Sequence, residues 1–204
     1  MTIPTTSFLC VPNLQGEQFK LSIENGQVRW IAMEASLSEQ VERLCMSYND
    51  EDILVGTSFG GLAVWKYAQI QHPTMLRGMV LIDVLPSLQS FPTWRKLGMK
   101  LATHFPSHLL QPVYTTYRMS VGERPKSPMI HKDSIATILQ RIQSIENGFP
   151  SSRFPVPTLV LSTNGSFHQQ WLELSHTIDV LTAHKKTDPS QQIRDWLTTN
   201  LERT

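Results

Sequence analysis

The sequence predicts an α/β fold with a mostly parallel sheet and a helical insertion, and three observations carry that prediction. Continuous apolar runs recur: Ile53–Val55, Arg77–Pro86, Pro157–Ser162 and Thr177–Thr182. Short runs without polar alternation are what strands covered on both faces look like. Helix-like stretches follow two of them, Leu62 to Gln71 after the first and a closing helix around Pro189 to Leu201 after the last. Between Ser87 and Pro155 this alternation stops and the apolar spacing becomes helical. The chain therefore divides into a core of residues 1–86 and 156–204 and an insertion of residues 87–155.

Taken in order, Ser7 to Pro12 forms the first strand and Ser36 to Tyr48 a helix. Cys10 and Cys45 lie on these two elements and read as buried packing thiols, not as a disulfide. The run Ile53–Val55 ends in Gly56-Thr57-Ser58-Phe59-Gly60. A serine pushed out on a sharp strand-to-helix turn needs neighbours without bulk two positions to either side, because the flanking backbones approach closely. Gly56 and Gly60 supply that room. The following helix aims backbone N–H groups and its positive dipole end at the charge that forms in acyl transfer. Ser58 is the candidate nucleophile. The next strand ends at Asp83 before a proline stop, and His184 stands two residues beyond the last strand.

With the serine first, an acid next and the histidine last, the chain resembles the α/β-hydrolases from about Ser7 onward, on Gly56-Thr57-Ser58-Phe59-Gly60 and Asp179-Val180-Leu181-Thr182-Ala183-His184. The resemblance implies an α/β-hydrolase fold whose mostly parallel sheet starts at the family's third strand, with residues 87–155 as its helical cap. It implies catalysis by Ser58 and His184, with backbone N–H groups of Leu14 and Phe59 as the oxyanion hole. Where typical members have a His-Gly pair after that third strand, this chain has Pro12-Asn13-Leu14-Gln15-Gly16. Nor is there an aspartate after the strand ending at Ser162, where the sequence is Thr163-Asn164-Gly165-Ser166-Phe167. The triad acid is thus Asp83, as in members that take it from the strand after the elbow helix, or Glu173, or is missing. Asp83 reads equally well as a strand-end residue capping the following turn. His168 is the rival to His184 as base.

The cap segment carries nine basic residues against three acids, net +6 against −5 for the remainder of a chain whose total is +1. Predicted helices run from Trp94 to Phe105, Ser107 to Met119 and Asp133 to Asn147. Trp94, Tyr114, Tyr117, Arg118, Arg124 and Arg141 are the candidate substrate-binding side chains, with packing of cap on core as the plain alternative for each. A basic cap suits an acidic partner such as an acyl carrier protein. It is also compatible with a solvated face. The resemblance extends, more weakly, to the capped pimeloyl-carrier-protein methyl esterases of biotin synthesis.

The expected activity is therefore that of a serine esterase: hydrolysis of a carboxylic ester or thioester through an acyl-enzyme, without a cofactor. Alternatives are a hydrolase fold that has lost catalysis and serves as a binding module, and an acyltransferase. No histidine pair has metal-ligand spacing and there is no HExxH or CxxC. No nucleic-acid motif accompanies the charge. Residues 1–6 lack the basic and apolar regions of a signal peptide and no run approaches a membrane span, so the cytoplasm is the expected location.

Overall fold

The apolar runs form strands of one six-stranded sheet in the computed structural model, which describes residues 6–13, 16, 18–24, 26–70, 76–86, 141, 144, 154, 156–163, 165–174, 179–182 and 189–200. The strands are β1 (Thr6–Val11), β2 (Gly26–Trp30), β3 (Asp52–Thr57), β4 (Met79–Ile82), β5 (Thr158–Ser162) and β6 (Asp179–Thr182). Their order is β2-β1-β3-β4-β5-β6 and every neighbouring pair is parallel. After β2 the chain returns across β1 to lay down β3, so the order reverses between β1 and β3. In open parallel sheets the crevice beyond the strands' carboxyl ends at such a reversal is where ligands bind.

Because successive side chains point to opposite faces, each strand contributes to two cores. Leu9, Leu54, Met79, Leu81 and Val160 lie on one side, packed with α1 (Leu37–Ser47), α2 (Phe59–Ile70) and Trp171 of α3 (Gly165–Leu174). Phe8, Ile53, Val55, Val80 and Leu161 lie on the other, under Ile193 and Trp196 of α4 (Pro189–Asn200). No helix among the described residues is long and apolar enough to cross a membrane.

Strand β2 is missing from the sequence reading. Its residues Gly26-Gln27-Val28-Arg29-Trp30 form a sheet edge and are only partly buried, so they lack the apolar run that marks the central strands. Helix α1 begins where Ser36 Oγ accepts from Glu39 N–H (3.3 Å) and Glu39 Oε2 accepts from Ser36 N–H (3.0 Å), a reciprocal cap. Its buried stripe is Leu37, Gln40, Val41 and Leu44. Cys45 falls to one side of that stripe and is exposed, which corrects its assignment as a buried thiol. Cys10 is buried, and loss of water together with the Asp52 charge pushes its thiol up to about 12.

Asp52 opens β3 fully buried. Its carboxylate accepts from Ser7 Oγ of β1 (2.6 Å) and from Asn49 N–H (2.8 Å), and pairs with Arg29 of β2. Arg29 Nη1 also donates to Ser47 O at the end of α1 (3.2 Å). The carboxylate and its arginine together thus tie three strands and a helix at the amino edge of the sheet. Arg29→Leu would leave that carboxylate buried without its cation. Because the arginine is partly exposed and Ser7 and Asn49 still donate to the carboxylate, the expected loss is about 1–3 kcal/mol of stability, read from urea unfolding.

Candidate active site

Ser58 is the first residue past β3, and its backbone must reverse into α2 within that single residue. It does so at φ 53°, in the left-handed region that residues with a Cβ seldom occupy. Ser58 N–H donates to Ile82 O of β4 (2.9 Å), extending the ladder by one residue. Ser58 O accepts from Gly61 N–H (3.1 Å) and Leu62 N–H (3.2 Å), starting the helix. Helix α2 therefore begins at Phe59, three residues before the predicted start. The Phe59 N–H lies in the first turn, where amides have no acceptor within their own helix.

Three glycines make the turn possible. A Cβ on Gly56 would sit 2.5 Å from Gly61 Cα and one on Gly60 2.2 Å from Pro12 O. Both of these belong to the serine motif itself, whereas the third, Gly61, is required by a contact distant in sequence: a Cβ there would lie 2.1 Å from Val84 Cγ2. The contact of Gly60 with Pro12 sets the first turn of α2 against the carboxyl end of β1. There Gly16 N–H donates to Asn13 O (2.8 Å) with Gly16 at φ 77°. Leu14, the other expected oxyanion donor, lies outside the described residues.

Asp83 holds the corresponding place one strand over. It is the first residue past β4, its φ is 49°, and its N–H donates to Leu161 O of β5 (2.9 Å). Ser58 and Asp83 are the two non-glycine residues with positive φ among those described. Such strain costs on the order of 1–3 kcal/mol per residue and collects at functional sites. The Asp83 carboxylate accepts from Thr163 N–H (2.6 Å) and from Thr163 Oγ1 (2.8 Å). Among the described residues it therefore holds Thr163, the residue just past β5. Past Asp83 the chain stays pinned, because Trp171 Nε1 donates to Val84 O (3.0 Å).

The rivals fall as follows. Glu173 is exposed on α3, accepts from Gln169 Nε2 (3.3 Å), and stands eight residues along a helix that starts just past β5, roughly 12 Å from that start. His168 is half-buried near the start of the same helix. His184 lies outside the described residues, as do Trp94, Tyr114, Tyr117, Arg118 and Arg124. Of the segment 87–155, residues 141, 144 and 154 are described.

Arg141 is buried, and its Nε donates to Glu34 O (2.6 Å) in the loop between β2 and α1. Burial lowers its pKa, and the nearby Glu34 opposes that shift. Its Nε thus ties segment 87–155 to the backbone of the loop between β2 and α1. Ser144 Oγ accepts from Leu37 N–H (2.9 Å), and Phe154 stacks on Trp65 at 5.2 Å between ring centroids. Among the described residues no group of three or more His, Cys, Asp or Glu is placed to hold a metal ion.

No protein-family profile and no curated protein sequence matches the chain. Solved structures do. MGS-M2, an α/β-hydrolase enzyme from a Medee basin deep-sea metagenome library, superposes with a TM-score of 0.60 at 14% identity, covering 97% of this chain and 90% of that one. The chain has the α/β-hydrolase fold. Human thioesterase 2 is also similar (TM-score 0.59, 12% identity, 98% and 97% covered). So is the NocB thioesterase domain, solved as a covalent complex with a fluorophosphonate nocardicin G analog (TM-score 0.62, 16% identity, 94% of each chain). In this α/β-hydrolase fold the strained turn at Ser58 occupies the carboxyl edge beside the reversal of strand order.

The strain at Ser58 has a measurable signature. Glycine adopts a positive φ freely and alanine does not, so Ser58→Gly should be more stable than Ser58→Ala by about 1 kcal/mol in urea unfolding. The opposite order would mean that the turn is unstrained.

Proposed function

We propose that the chain is a serine hydrolase of carboxylic esters or thioesters. The observation that carries this reading is the turn at Ser58, a residue held at φ 53° between β3 and α2 by three glycine contacts. Nothing in packing alone calls for a serine there. In the proposed cycle His184 takes the proton from Ser58 Oγ as that oxygen attacks the acyl carbonyl. The N–H groups of Phe59 and Leu14 receive the oxyanion. The alkoxide or thiolate leaves with the proton from His184, and water, deprotonated by His184, then hydrolyses the acyl-enzyme. Asp83 holds the imidazole in its working tautomer and stabilises the imidazolium. The thioesterases among the structural neighbours favour a thioester as the acyl donor.

A fluorophosphonate probe tests this without knowledge of the substrate. The wild type should be phosphonylated at Ser58, and Ser58→Ala should not be labelled. On p-nitrophenyl esters of graded chain length, Ser58→Ala and His184→Ala should each lose up to about a million-fold in turnover, and the double variant little more, because the two residues act as a unit. A silent His184→Ala beside an inactive His168→Ala would reassign the base. An unlabelled wild type would favour a binding module that retains only the fold.

The acyl donor is further proposed to arrive on an acidic carrier protein, on the strength of the excess of basic residues between Ser87 and Pro155. Reversing Arg118, Arg124, Lys126 and Lys132 together should then lower kcat/KM for carrier-bound acyl groups and leave a small neutral ester unaffected. Raised salt should mimic the loss, since charges more than ~10 Å apart are largely screened at 0.1 M. Equal losses on both substrates would remove the carrier from the proposal.

A further inference from the structure

We propose that Thr163 is a positioning residue for the reaction, fixing the Asp83 carboxylate so that one chosen oxygen is presented to the catalytic imidazole. The inference rests on the serine-hydrolase reading and on Asp83 as its acid. The backbone of Asp83 is already fixed on both sides, by its N–H on Leu161 O and by Trp171 Nε1 on the carbonyl of Val84. Those bonds set where the Cα lies. They leave the two side-chain torsions of an aspartate undetermined.

Thr163 determines them. Its N–H donates to Oδ1 at 2.6 Å, and its hydroxyl lies 2.8 Å from Oδ1 and 2.8 Å from Oδ2, sharing one proton between the two oxygens. Bonds to an ionised acceptor are the strong kind and hold their geometry best. A carboxylate offers about four lone-pair positions. Oδ1 receives two donors and Oδ2 only the shared hydroxyl, so among the described residues Oδ2 is the oxygen left with room for an imidazole N–H.

The placement follows the sheet. Ser58, Asp83 and Thr163 are each the first residue past a strand, on β3, β4 and β5 in turn, and these strands are neighbours. The strand end after Ser162, which carries no aspartate of its own, thus supplies the donors that orient the acid of the strand beside it. A threonine serves because it brings an amide and a hydroxyl to one carboxylate, and its β-branch restricts the hydroxyl's rotamers.

The test uses the rate of phosphonylation by the fluorophosphonate probe, separated into kinact and KI, on the full chain. Thr163→Val keeps the shape and the amide but removes the hydroxyl. It should lower kinact by about 10- to 100-fold, the scale of a misplaced catalytic group, with KI unchanged, and Thr163→Ser should restore kinact. In an Asp83→Asn background Thr163→Val should cost nothing more. Should Thr163→Val fail to fold, Thr163→Ala compared with Thr163→Ser reads the same hydroxyl. The inference is overturned if Asp83→Asn is slow while Thr163→Val labels at the wild-type rate. It is overturned equally if serine fails to restore kinact, or if the two losses multiply. A wild-type rate in Asp83→Asn removes the acid and this inference together, whereas an unlabelled wild type overturns the hydrolase reading itself.

Discussion

The architecture depends on how closely the first turn of α2 approaches the sheet. Backbone meets backbone where Gly61 lies on Gly56 of β3 and Gly60 on the carbonyl of Pro12 beyond β1, and Gly61 also meets the Val84 side chain beyond β4. Three strand ends converge on one helical turn. Any Cβ at these positions would come within 3.0 Å of a neighbour, a separation that real Cβ atoms essentially never show. The depth to which α2 sinks follows from this contact, and with it the full burial of Ala63, Val64 and Ala68. Ser58 inherits its position, since a helix seated this deep leaves a single residue in which to reverse the chain.

The sheet separates stabilising groups from strained ones. At the amino edge Asp52 is buried with its acceptors filled, which stabilises the connection of β1, β2 and β3. At the carboxyl edge two residues are held at positive φ, which destabilises. Strain at one end persists because packing at the other end and between the faces over-determines the backbone. The cluster of Trp65, Phe154 and Trp171, with ring centroids 5.1–5.7 Å apart, adds stabilising area directly behind the strained edge.

What could be read from the sequence was what is local in the chain. The strands β3, β4 and β5 announce themselves because both of their faces are covered, and the turn at Ser58 because its glycines lie within a few residues of each other. Gly61 was missed since its need depends on Val84, reached through a different strand. Thr163 was missed for the same reason, lying 80 residues from Asp83 in sequence. Strand β2 hides at an edge where half-burial leaves no apolar run. Arg141 shows that a count of charges says nothing of which guanidinium is buried.

Residues 141, 144 and 154 fasten the latter part of segment 87–155 to α1, α2 and the loop before α1, while Pro86 is buried at the end of a pinned chain. Between two fixed points the closure entropy of a chain grows only with the logarithm of its length, about 0.6 kcal/mol for each doubling. Residues could be added to or removed from that span over evolutionary time with little effect on whether the core folds. The glycine contacts of α2 allow no comparable drift. A lineage built on this chain can therefore vary the length between those points far more freely than the turn at Ser58.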